Sequence, residues 1–178
     1  MRFIKSKANE FLVVSKNGEL KNLGVASSKF ILPGQVATFV PARQFKTNFA
    51  MTQETKDGIA LRFKGVIIYR IIHPETAVKL FEFSDETIGI EAMDKSLADI
   101  SLGELRDVIS HMNMQECIGQ RKTTLSNAVR EGLESVAGSW GIKIEVAQLA
   151  QVFIYDNDIR EYLETDVRNE LRLESCFF

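Results

Sequence analysis

Cysteine is nearly absent from this chain of 178 residues: Cys117 and Cys176 are the whole supply. Two are too few for a disulfide framework, and their separation fits no metal-ligand cluster. A reducing compartment is the natural setting. Proline is scarce as well, and Pro33, Pro41 and Pro74 all fall early, so the remainder can hold long helices without an internal breaker. Long apolar runs are missing. Val66 to Tyr69 and Val152 to Tyr155 are strand-sized, far from the roughly 20 residues that cross a bilayer. Excess charge of one sign is missing too: a net charge of -2 and a pI near 5.8 provide no overall field for nucleic acid or an anionic membrane. Met1 to Lys7 has no apolar signal core, and Arg2 stands where myristoylation needs glycine. The expectation is a cytoplasmic chain with no transmembrane segment, no signal peptide and no nucleic-acid partner.

What is present is a globular composition, 45% apolar and 26% charged with twelve Phe, enough for one core without staples. Strand patterns come first and helical ones follow, which predicts an α+β fold. Asn17-Gly18 between Glu10 to Ser15 and Glu19 to Val25 predicts a tight hairpin, and Asp57-Gly58 a second. Downstream, Ile59, Leu61, Phe63, Ile67, Tyr69 and Ile71 alternate onto one face, with Gly65 marking a bulge or a close backbone approach. Pro74 opens a short helix to about Phe83. A long one follows from about Glu86, with Met93, Leu97, Ile100, Leu105, Val108 or Ile109, and Met112 as its stripe. Another runs from about Met114 with Ile118, Leu125, Val129, Leu133 and Val136 on one face, closed by Gly138 and Gly141. Period two then returns, with Ile142, Ile144, Val146, Val152 and Ile154 in phase, in a strand expected to rejoin the sheet beside Ile59 to Ile72. Asp158, with Glu161 three residues later, predicts the cap of a last helix whose stripe is Ile159, Leu163, Val167 and Leu171.

Catalytic constellations are weak. His111 and Cys117 straddle a helix junction and read as packing or surface residues, not a dyad. Gly119 to Thr124 lacks the first glycine of a phosphate loop and lies in a helical pattern. Asp156-Asn157-Asp158 lacks the glycine and closing Glu of a calcium loop. No catalytic residue, cofactor or metal is assigned. Trp140 reads as core. Arg2, Phe3, Ile4, Lys5 and Lys7 read either as a frayed terminus or as an interfacial contact, the apolar pair entering a membrane and the bases meeting anionic headgroups. Glu161, Glu164, Arg168 and Arg172 read either as a solvated helix face or as charges pairing between subunits.

Four motifs then stand in order: Asn9-Glu10-Phe11-Leu12-Val13-Val14-Ser15; Thr55-Lys56-Asp57-Gly58 leading into Val66 to Ile71 and the turn Pro74 to Ala77; Leu105-Arg106-Asp107-Val108-Ile109 followed by Arg121; and Trp140-Gly141-Ile142-Lys143-Ile144-Glu145. With them the chain resembles the stomatin/prohibitin/flotillin group, the SPFH or band-7 domain, from about residue 9 to 174, and is flotillin-like at its start. The resemblance implies a mixed or antiparallel sheet with packed helices over residues 9 to 155, after an N-terminal tail of residues 1 to 8. It also implies an extended helix or coiled coil beginning in residues 156 to 178, cut short at Phe178. Ile159, Leu163, Glu164, Val167, Arg168, Leu171 and Arg172 are then the oligomerisation candidates. The implied function is a non-enzymatic scaffold, peripheral to a membrane, that assembles with itself in a longer form and organises membrane patches or partner proteins, with an anionic membrane surface and membrane proteins among its partners. A particle component like the shoulder domain of the major vault protein is the alternative, and a small-molecule-binding or enzymatic domain a more distant one.

Overall fold

The computed structural model describes residues 2–156 together with 160, 161, 164 and 165. Eight strands and four α-helices appear among them: β1 (Arg2–Lys5), β2 (Glu10–Lys16), β3 (Glu19–Val25), β4 (Ser28–Ile31), β5 (Gln35–Pro41), β6 (Gln44–Glu54), β7 (Ala60–Ile71), α1 (Pro74–Leu80), α2 (Glu86–Ser110), α3 (Met114–Gly119), a π-helical turn (Arg121–Leu125), α4 (Ser126–Trp140) and β8 (Ile142–Ile154). The order is α+β, as the pattern of strands before helices requires.

The N-terminal third turns on Asn17 and Gly18, whose φ values of 52° and 84° give the primed turn that suits the right-handed twist of β2 and β3. β2 is the centre of the sheet β3-β2-β5, and β1 pairs with β4 in a separate two-stranded sheet. Alternation along β2 divides its contacts. Val13 joins the main core, while Leu12 and Val14 meet Ile4 in a small second cluster. Residues 2–5, expected within a tail, are therefore a strand with a buried residue of its own.

The main sheet is β6-β7-β8, antiparallel throughout. Leu61, Phe63, Ile67, Tyr69 and Ile71 of β7 are buried, together with Met93, Leu97, Leu105 and Ile109 of α2 and Val129 and Leu133 of α4. One sheet face thus lies under two helices. The predicted pairing of Ile142 to Ile154 with the Ile59 to Ile72 region holds. Gly65 has both predicted features: β8 shifts register beside it, and the ring of Phe49, its cross-strand partner, occupies the space a β-carbon would need.

Three periodicity readings shift. In α2 the buried stripe passes through Ser101 and leaves Ile100 half-buried; the Ser101 hydroxyl returns its donor to the Leu97 carbonyl at 2.9 Å. The helix expected to run unbroken from Met114 is interrupted by the π turn, where Leu125 N–H reaches the Gln120 carbonyl at 3.3 Å. The extra residue rotates the preceding turn, so Cys117 is buried and Ile118 is exposed. In β8 two register shifts leave Glu145 and Ala150 unpaired. Between them Ala147 and Leu149 oppose Ile67 and Gly65 on the core face, while Val146 opposes Ile68 on the other. Val146 is thus out of the row in which the sequence placed it, and Leu149 is in it.

Candidate functional site

β1 and β4 carry the most exposed aromatic surface of the described residues. Phe3 and Phe30 are register partners whose ring centroids lie 4.9 Å apart, and they remain 56% and 60% exposed. The Pro33-Gly34 turn, with Gly34 at φ 83°, folds β5 back beside them. An open groove of about 530 Å³ results, lined by Arg2, Phe3, Lys5, Ile31, Val36 and Phe39 among others. Val36 and Leu32 are exposed as well. Two neighbouring rings, tilted 55° to one another, are costly to leave in solvent unless something covers them, because each aromatic side chain carries a large apolar area.

Strand parity divides the sequence-predicted contact residues. Phe3 and Lys5 share the exposed side, whereas Ile4 points the other way into the cluster with Leu12 and Val14, and Arg2, on the Ile4 side, is exposed at the start of the strand. Ile4 is a packing residue and not half of an interfacial pair, because neighbours on a strand face opposite ways. The Lys7 ammonium lies 2.9 Å from the Glu10 carboxylate, and its hydrogen bond and charge hold Glu10 below the usual carboxylate range. Sequence reasoning missed Phe30, Val36 and Phe39, which come from strands distant in the chain. The available signal was the apolar stretch Phe30-Ile31-Leu32 running straight into Pro33-Gly34.

Of the oligomerisation candidates, Glu164 is exposed and lies 3.8 Å from Arg160 one helical turn earlier. Ile159, Leu163, Val167, Arg168, Leu171 and Arg172 lie outside the described residues. Trp140 is half-buried at the end of α4, edge-on to Phe81 with centroids 5.4 Å apart.

Nucleophile chemistry gains nothing from the packing. Burial pushes the Cys117 thiol up to about 11, with the nearby carboxylates Asp57 and Glu116 adding to the shift, the reverse of an activated thiolate. The His111 ring is engaged by the Asp107 carbonyl at 2.8 Å and the Ser110 hydroxyl at 3.0 Å. Among the described residues no group of three or more His, Cys, Asp or Glu could hold a metal ion, and no helix is long and apolar enough to cross a membrane.

A three-stranded sheet under two helices, preceded by a small strand lobe with an uncovered aromatic edge, defines the architecture. The chain belongs to the SPFH domain / Band 7 family, which it matches over residues 4–175. That family is one of membrane-associated scaffolds. A stretch of 98 residues is 22% identical to the uncharacterized protein MJ0827 of Methanocaldococcus jannaschii, covering 55% of this chain and 44% of that protein. The chain thus spans less than half the length of that relative.

Proposed function

We propose that this domain is a non-enzymatic, self-assembling scaffold that rests on an anionic membrane surface through the β1–β4 edge and gathers membrane proteins there. The observation that carries the reading is the exposed, tilted ring pair Phe3–Phe30, of which Phe3 lines one groove with Arg2 and Lys5. Aromatic rings suit the headgroup boundary, and each base near an anionic surface contributes about 1 kcal/mol. One copy therefore binds weakly and releases as salt rises. An assembly repeats the patch, and multivalency turns weak contacts into stable attachment. The C-terminal helix supplies assembly through the stripe of Ile159, Leu163, Val167 and Leu171, with Glu164, Arg168 and Arg172 as its charged flank.

Co-sedimentation with anionic and neutral vesicles tests the membrane part. The unmodified chain should sediment with anionic vesicles at low salt and stay behind with neutral ones. Phe3→Ser/Phe30→Ser and Arg2→Gln/Lys5→Gln should each remove binding without lowering the melting temperature, since all four side chains are exposed or terminal. Persistent binding by both variants would move the contact elsewhere. An assembled chain that never binds would favour a particle without a bilayer.

A further inference from the structure

The β6-β7-β8 sheet has a second face, away from α2 and α4, and it is basic. Strand alternation places Lys46, Arg62, Lys64, Arg70 and Lys143 on it. Glu145, re-aimed by its bulge, lies 2.8 Å from Arg70 Nε and 3.7 Å from Lys143 Nζ, which offsets those two. Lys46, Arg62 and Lys64 have no carboxylate partner among the described residues, and the Lys64 ammonium lies 5.3 Å from the Phe153 ring centroid. Between the bases the surface is apolar. Val66, Ile68 and Val146 are half-buried there, and a depression of about 450 Å³ opens between Lys46 and Lys64.

The helical side has the opposite sign. α2 and the turn before it expose Glu82, Asp85, Glu91, Asp99, Glu104 and Asp107, against two bases, Lys95 and Arg106. Set among these acids are Ile88, 53% exposed, and Gly103, which has open space where a β-carbon would stand. The helix therefore presents acids around apolar and small positions, and the sheet presents bases around an apolar strip.

We infer that the basic sheet face of one copy receives the acidic outer face of α2 from a second copy. The inference rests on the self-assembly reading and assigns it a surface in the globular domain, separate from the C-terminal helix. Because two different surfaces meet, the contact is heterologous, and each added copy offers a fresh face until a ring closes. Opposite potentials steer and orient such a contact, while an apolar centre with a charged rim has the anatomy of a protein interface. An anionic bilayer would satisfy the bases but offers nothing shaped to the Val66, Ile68 and Val146 strip, and it leaves the acidic helix without a counterpart. A second copy satisfies both faces at once.

Charge reversal on the full 178-residue chain tests this by sedimentation velocity. Lys46→Glu/Arg62→Glu/Lys64→Glu makes both faces acidic; Glu91→Lys/Asp99→Lys/Asp107→Lys makes both basic. Each variant alone should self-associate at least about tenfold more weakly than the unmodified chain, because like charge then meets like. An equal mixture of the two should associate again, which also shows that both are folded. Variants that associate as strongly as the unmodified chain would overturn this interface and leave assembly through the C-terminal helix standing. An unmodified chain and a mixture that both stay monomeric would overturn the interface, while the reading of assembly through a C-terminal helix cut short at Phe178 would still stand. Loss of anionic-vesicle binding by the sheet variant, with its self-association unchanged, would make the face a lipid surface and overturn the inference.

Discussion

Gly65 and Phe49 illustrate how one residue can be fixed by another's ring. The ring lies across the backbone of Gly65, so a methyl there has nowhere to go. Gly65→Ala should cost about 1–3 kcal/mol as overpacking. In a Phe49→Ala background the same change should cost almost nothing, and denaturant unfolding of the four chains would read the coupling. Two carboxylates contribute to the pH response in opposite senses. Burial holds the Asp94 carboxyl above the usual range despite the 2.8 Å hydrogen bond that it accepts from the Tyr69 hydroxyl, and the Glu91 charge adds to the shift. The Thr55 hydroxyl, with help from Met114 N–H, holds Asp57 below that range. A raised acid binds its proton more tightly in the native state, so it costs stability at neutral pH, and that cost is relieved as pH falls through its folded pKa. A lowered acid does the opposite: its contribution is full above the unfolded value and is lost as pH falls through the folded one. Asp94→Asn should therefore raise the melting temperature at pH 7, with the gain shrinking as pH falls toward about 4. Asp57→Asn should lower it, with the deficit shrinking over the acid range. Melting curves across that interval decide both.

At the scale of elements, the junction between the π turn and β8 hangs on Ser126. Its hydroxyl donates to the Arg121 carbonyl at 2.9 Å and accepts from Leu149 N–H at 3.2 Å. Both backbone groups need a partner, because the helix pattern is broken at one and the strand ladder beside a bulge at the other. Ser126→Ala should cost about 1–3 kcal/mol, and hydrogen exchange at Leu149 should quicken before that of β7. The same junction shows where the sequence stops being legible. Both hairpins, the long helix from Glu86 and the return of the last strand follow from turn chemistry and apolar spacing, which are local. The π turn and the two bulges leave no local mark, because each inserts one residue whose only trace is a change of phase. In β8 the second shift undoes the first, so Ile142 and Ile154 stay in step while Leu149 changes sides. The Asp57 carboxylate on Met114 N–H, 57 residues along the chain, could not be read either, since it depends on the β6–β7 turn meeting the start of α3.

For the molecule as a whole, the candidate membrane edge was half legible. Arg2, Phe3 and Lys5 stood out from the sequence, but Phe30, Val36 and Phe39 join them only through strand pairing across the lobe. The charge pattern was hidden in the same way. Bases on alternate strand positions and acids along a helix cancel in a composition, leaving a net charge of -2. Sorted onto opposite sides of the sheet, they do not cancel in space. Near its pI of about 5.8 the protein should be retained at low salt on both cation- and anion-exchange resins, each holding it by a different side. Charge reversal on the sheet should remove retention on the cation exchanger alone. The choice of support would then choose the orientation: one immobilised layer would display its strands outward and the other its helices, two different coats from a single preparation.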